Sequence, residues 1–293
     1  MRLDIRYTTR FAYDEAVRES HNELRACPTT DERQTLVGYR VATSPPARIH
    51  SFTDYWGTRV DTFGIRVPHT HLEIVAEAAV ETRPSLPPAQ SPAVAALADP
   101  AFRAAHTELL APSPHTAWGA SVADAAAQRW AHVDGDVVSG VLGLHRLVGH
   151  RLRYLPGVTE VGVDVEEVLA AGEGVCQDYA HLLIAMCRSV GVPARYVSGY
   201  LFTADDASGA DTAADVVRVQ THAWVEAAVP GLGWLGLDPT NQQVVGERHV
   251  TIGRGRDYDD VAPLRGVFSG PPGHELDVEV ELRRVAQQAA SAQ

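Results

Sequence analysis

Residues 172–202 read GEGVCQDYAHLLIAMCRSVGVPARYVSGYLF, and this run decides the architecture. At about 100° per residue, Cys176, Ala180, Leu183, Ile184 and Cys187 share one helical face. Gly172 and Gly174 permit a tight bend ahead of it, while Gly191 and Pro193 close it. The spacing therefore predicts a helix that starts at Cys176. Its thiol sits in the first turn, where unpaired backbone N–H groups and the helix dipole favour negative charge. Such a position suits a thiolate nucleophile. Ala194–Phe202 follows directly and reads as a strand.

Downstream, Thr221–Val229 (THAWVEAAV) and Trp234–Asp238 (WLGLD) flank the turn signature Pro230-Gly231-Leu232-Gly233. An antiparallel hairpin is expected. His222 lies eight residues before Pro230 and Asp238 eight after it. A few residues of register error aside, both side chains reach the open end of the hairpin, and Pro239 ends the ladder. A thiol at a helix start, packed on a sheet that offers His and then Asp, has the parts for nucleophilic catalysis.

Upstream the pattern changes. In the first 82 residues Leu3, Ile5 and Tyr7 alternate with charged or polar neighbours. Leu72, Ile74, Ala76, Ala78 and Val80 likewise oppose Glu73, Glu77 and Glu81. Residues 1–82 are read as a β-rich domain, with a hairpin turning at Trp56–Arg59. Residues 83–100 carry five prolines and read as a linker. A catalytic core is assigned to 101–285. It opens with an Ala-rich helical stretch over roughly 100–133, broken near Pro112 and Pro114. Val137, Val141, Leu144, Val148 and Leu152 form the stripe of a further helix. Leu276, Val278, Val280 and Leu282 mark a late strand, and 286–293 a flexible tail. The fold class is α+β.

Composition excludes several functions. With a net charge of −12, the 293-residue chain offers no clustered basic surface for nucleic acid or anionic membrane. No apolar run approaches a membrane span of roughly 20 residues, and no signal peptide is visible at the start. Cys27, Cys176 and Cys187 show no pairing logic. On one helix the last two would stand about 16 Å apart, beyond disulfide reach. Three unpaired cysteines suit a reducing compartment, so a cytoplasmic location is expected.

The segments GEGVCQDYAHLLIAMCRSVGVPARYVSGY, THAWVEAAVPGLGWLGLDPT and GRGRDYDDVAP resemble the bacterial transglutaminase-like proteins. In that family a GVC[Q/R]D segment, a HAWVE strand and a DPT terminus supply Cys, His and Asp. Carried over by position, these are Cys176, His222 and Asp238. The match is specific over 150–262, and the N-terminal β region is similar to the extra domain common in this branch. The resemblance implies a papain-like transglutaminase core, with the nucleophile helix packed on an antiparallel sheet. It also implies one of two activities, amide hydrolysis or glutamine–amine cross-linking.

Hydrolysis of a peptide or protein amide is preferred, since no acceptor-amine site is marked and water needs none. A transglutaminase and a non-catalytic peptide-binding module are the alternatives. One feature departs from the papain pattern: residues 131–175 hold no Gln to support an oxyanion. The Cys176 N–H and Tyr154 are the candidates instead.

Cys187 is read as inert core, His181 as structural or outside the reacting set, and Trp224 as packing beside the site, with an aromatic wall for substrate as the other option. Cys176, His181 and His222 lack structural-zinc spacing. The acidic run Asp205, Asp206, Asp211 and Asp215 does not match a calcium loop and is read as a solvated, mobile loop. No cofactor or metal is expected, and oligomeric state is not legible.

Overall fold

Alternation of apolar and charged residues builds the first unit. A computed structural model of the chain describes residues 1–85, 90–132, 135–157, 162–203, 216–271 and 273–285. The acidic run 205–215 and the tail 286–293 lie outside them. Strand Arg2–Val17 pairs antiparallel with His69–Thr82, matching Leu3 to Val80 and Ile5 to Ala78. All four side chains are buried on one face. The charged faces meet as cross-strand ion pairs, such as Arg10 with Glu73 at 2.9 Å. The expected hairpin near Trp56 joins His50–Thr53 to Arg59–Ile65.

The chain then enters its helical part. Pro100–Ala105, Thr107–Leu110 and Ala120–Trp130 occupy the Ala-rich stretch, so the prolines at 112 and 114 fall between helices. Asp136 caps Val137–Arg151 by accepting from the Ser139 N–H at 2.8 Å. That helix buries Val137, Val141, Leu144 and Val148, the stripe read from the sequence.

Cys176–Ser189 is the central helix. It is surrounded by Ala120–Trp130, Val137–Arg151 and Val165–Ala171 on one side and by the core sheet on the other. Leu182, Leu183 and Ile184 are fully buried, each contributing about 1.5–3 kcal/mol. The core sheet runs in the order Gln243–Val244, Gly233–Asp238, His222–Val229, Ala194–Leu201, His249–Gly255, with every pairing antiparallel. A nucleophile-bearing helix on an antiparallel sheet, preceded by a β-rich region, is the α+β arrangement anticipated above.

The other face of that sheet is covered by the N-terminal unit. Tyr200, Phe202, Val250 and Ile252 share a core with Leu3, Tyr7 and Ile74. Polar contacts fix this junction. The Gln34 side chain exchanges two hydrogen bonds of 2.8 Å with the Thr251 backbone. Buried Glu226 binds Arg33 at 3.0 Å, Arg254 at 2.9 Å and Arg195 at 2.6 Å.

The last two strands are placed differently from the sequence reading, which put 101–285 in one unit. Leu264–Ser269 pairs with Glu19–Leu24, and His274–Val285 pairs along nearly the whole first strand, Arg2 to Val285 and Tyr13 to His274. The N-terminal β unit is thus completed by the end of the chain. Local alternation showed the late strand but carried no information about its partner.

Candidate active site

Three elements converge on one cleft. The bend into the nucleophile helix is set by Gly174, where a Cβ would lie 2.8 Å from both the Cβ and a carboxylate oxygen of Asp178. That close approach lets the Asp178 carboxylate accept from the Val175 N–H at 2.8 Å, fixing the lead-in just before Cys176. Cys176 is half-buried at the helix start and lines a cavity of about 600 Å³.

His222 opens its strand opposite Gly199. A Cβ at Gly199 would lie 2.1 Å from the Val250 carbonyl oxygen and 2.4 Å from the Trp224 ring, so this position tolerates no side chain. Pairing Val225 with Leu237 and Val229 with Gly233 sets Asp238 opposite Trp224, diagonal to His222. The diagonal is short enough: the His222 Nε2 lies 2.8 Å from the Asp238 Oδ2. Cys176 lines the same cavity as His222 and acts on its ring. Cys176, His222 and Asp238 are therefore brought together at one cavity.

Electrostatics follow from burial and these bonds. Burial pulls the His222 pKa down, but the bonds from Asp238 and Cys176 and their charges outweigh it, leaving it raised to about 10. Burial likewise disfavours the Asp238 carboxylate, yet hydrogen bonds from His222 and His249 hold it well below the usual carboxylate range. The ring is 11% exposed and the carboxylate fully enclosed, so the pair operates largely away from water while the ring still reaches the cleft.

The acid has more supporters than the sequence reading found. The His249 Nε2 lies 3.2 Å from the same Oδ2. Its Nδ1 accepts from the Gly246 N–H at 3.3 Å, which puts the ring proton on Nε2 for donation to Asp238. Asn241 donates its Nδ2 to Oδ2 at 2.8 Å, and the backbone N–H groups of Thr240 and Asn241 bond Oδ1 at 3.1 Å. The His145 Nε2 donates to the Asp238 carbonyl at 2.9 Å from the helix Val137–Arg151. His249 heads a strand as His222 does, and this was its only signal.

Other candidates resolve simply. Cys187 is enclosed and burial pushes its thiol up to about 12. Cys27 is buried and pushed up to about 11, mainly by burial. His181 is buried, stacks on His115 at 5.2 Å and accepts from the Tyr258 N–H at 3.2 Å. Trp224 is fully buried, edge-on to His249 at 5.2 Å, and gives the substrate no wall. Tyr154 and Gln177 line the cavity beside Cys176. His222, Asp238 and His249 bring possible metal-ligand atoms within 4.8 Å, but their hydrogen bonds to one another already use them.

The chain has relatives. Residues 124–239 match the transglutaminase-like superfamily and residues 3–81 the bacterial transglutaminase-like N-terminal region. The chain belongs to the bacterial transglutaminase-like family. An uncharacterized protein of Mycobacterium leprae is 37% identical over 285 residues, covering 97% of this chain and 99% of its own. A crystal structure from Cytophaga hutchinsonii, provisionally assigned as a cysteine protease, shares the fold with a TM-score of 0.76. It has 21% identity and covers 99% of this chain and 92% of its own. A protein-glutamine gamma-glutamyltransferase of Pseudomonas aeruginosa is 37% identical over 87 residues, 30% of this chain and 13% of its own.

Proposed function

We propose that the chain is a cysteine-dependent amide hydrolase acting on peptides or proteins, with Cys176 as nucleophile, His222 as proton carrier and Asp238 as the orienting acid. The observation that supports this reading is the position of His222, which bonds Asp238 at 2.8 Å and lines one cavity with Cys176.

The steps balance with these groups alone. The Cys176 Sγ, its proton held by the ring, adds to the amide carbonyl carbon. The C–N bond breaks as His222 hands that proton to the departing amine, leaving a thioester. Water then adds while giving a proton to the ring. The C–S bond breaks, the carboxylic acid leaves and the thiol recovers its proton. The helix-start N–H of Cys176 is the proposed donor to the oxyanion.

Transfer to an amine in place of water is the second reading, favoured by the local identity to the Pseudomonas aeruginosa gamma-glutamyltransferase. Three unpaired cysteines fit a reducing, cytoplasmic setting for either activity.

The test begins with iodoacetamide. Native protein should be alkylated at Cys176, and His222→Ala should slow that reaction sharply. Equal labelling of Cys27 and Cys176 would reject the nucleophile assignment. Incubation with a glutamine-containing protein and a fluorescent amine then separates the chemistries. New N-termini without incorporated amine support hydrolysis, whereas covalent incorporation supports transfer.

A further inference from the structure

The cleft around Cys176 does not end at the catalytic core. A second cavity of about 480 Å³ shares Gln220, Thr221, Tyr258 and Pro263 with it, and Thr221 immediately precedes His222. The first strand, the strands Glu19–Leu24 and Leu264–Ser269 and the closing strand His274–Val285 form the rest of this second chamber. Resting on the amide-cleaving or amide-transferring reading above, we infer that this chamber is a specificity subsite for an aromatic or branched aliphatic side chain of the polypeptide substrate.

Three observations carry the assignment. The floor is aromatic: Phe11 and Tyr13 stack at 5.9 Å, Phe268 stands 5.1 Å from Tyr13, and His274 lies 5.6 Å from Phe268. Among the described residues, none of the sixteen that line it is Asp, Glu, Lys or Arg. In a chain of net charge −12 with 21% charged residues, that surface selects against a charged guest. The rim leaves large apolar groups in water, with Val267 69% and Leu276 54% exposed. A bound apolar side chain would cover them and gain burial energy.

A polypeptide is the occupant because it presents both required groups at once. Its backbone places an amide over Cys176 while a neighbouring side chain enters the chamber through the shared wall. The volume falls within the range of small-ligand sites, about 300–1,000 Å³. This gives the N-terminal unit and the returning strands a role in substrate choice.

The test reads binding rather than turnover. The Cys176→Ala chain is titrated against short fluorescein-labelled peptides with a central glutamine in an alanine frame. Phe, Leu or Glu is placed at each position in turn, and fluorescence polarisation reports Kd. At one or more positions Phe and Leu should tighten binding by roughly tenfold over Ala, with Glu no better than Ala. Leu276→Glu or Val267→Glu, both at exposed strand positions, should abolish that preference. Equal affinity for Phe, Ala and Glu, or a preference that survives both substitutions, overturns the subsite. If the unsubstituted protein binds these peptides selectively yet neither cleaves them nor joins them to an amine, the reaction assignment fails and the subsite stands.

Discussion

His249 and His222 hold the same oxygen of Asp238, at 3.2 Å and 2.8 Å, from an edge strand and the central strand of the core sheet. The burden is unequal: His222 faces the cleft and keeps a raised pKa, whereas burial lowers that of His249. A neutral imidazole thus anchors the carboxylate, which in turn orients a charged one.

Replacing that anchor should disturb the reaction more than binding. For His249→Phe we expect kcat to fall by between roughly tenfold and a hundredfold with KM little changed, because the acid loses its alignment. Leaving a buried acceptor one bond short should also cost about 1–3 kcal/mol of stability. His249→Gln retains a donor and should recover part of the rate. Steady-state kinetics and urea unfolding of both variants check this.

Asp238→Asn removes the charge that keeps His222 protonated. The His222 pKa should fall from about 10 towards the ordinary value near 6.5. In the proposed reaction the ring protonates the leaving amine, so the alkaline limb of the rate profile should move to lower pH. The rate itself should drop by on the order of 10³–10⁴ at neutral pH, as in serine triads deprived of their carboxylate. A pH–rate profile of the variant distinguishes this from simple unfolding.

Buried histidines make the fold sensitive to acid. Burial and the nearby charges of His115 and Arg188 lower the His181 pKa to about 3. Below about pH 6.5 the unfolded chain takes up a proton that the native ring refuses. Stability should therefore decline as pH drops towards 3, by up to about 1.4 kcal/mol per unit for this group. His145 and His249, also lowered by burial, act in the same direction. His222 has the opposite sign: its contribution is complete below about pH 6.5 and lost as pH rises through about 10. Urea midpoints across pH 5–8 should show the acid decline, and His181→Gln, which keeps an acceptor for Tyr258, should flatten it.

At the junction of the two units, Glu226→Ala should be severe. Arg254, Arg195 and Arg33 hold its carboxyl down at about 2 despite full burial. Removing it deprives Arg195 and Arg33 of this carboxylate and leaves Arg254 with Asp31 alone, at a cost of about 3–5 kcal/mol. Thermal unfolding should record the loss.

What could be read in the residues was local. A helical stripe ending in Gly191 and Pro193 announced the helix Cys176–Ser189, and a Pro-Gly turn announced the hairpin carrying His222 and Asp238. Period-two alternation gave the strands around Leu3 and Leu72. Contacts across long separations were not legible. His145 reaches the Asp238 carbonyl from 93 positions away, and nothing in its helix stripe distinguishes it from a buried spacer. The destination of the late strand was hidden for the same reason, since alternation states which face is buried and never against what.

The first strand lies between His69–Thr82 and His274–Val285 in its sheet. During synthesis it must wait with one edge open while the intervening core is made, about two hundred and fifty residues longer than a hairpin would require. An uncovered edge is a template for a neighbouring chain. The vulnerable interval therefore lasts until His274–Val285 has been made, and a ribosome stalled ahead of that strand would release a species primed to pair with its own copies.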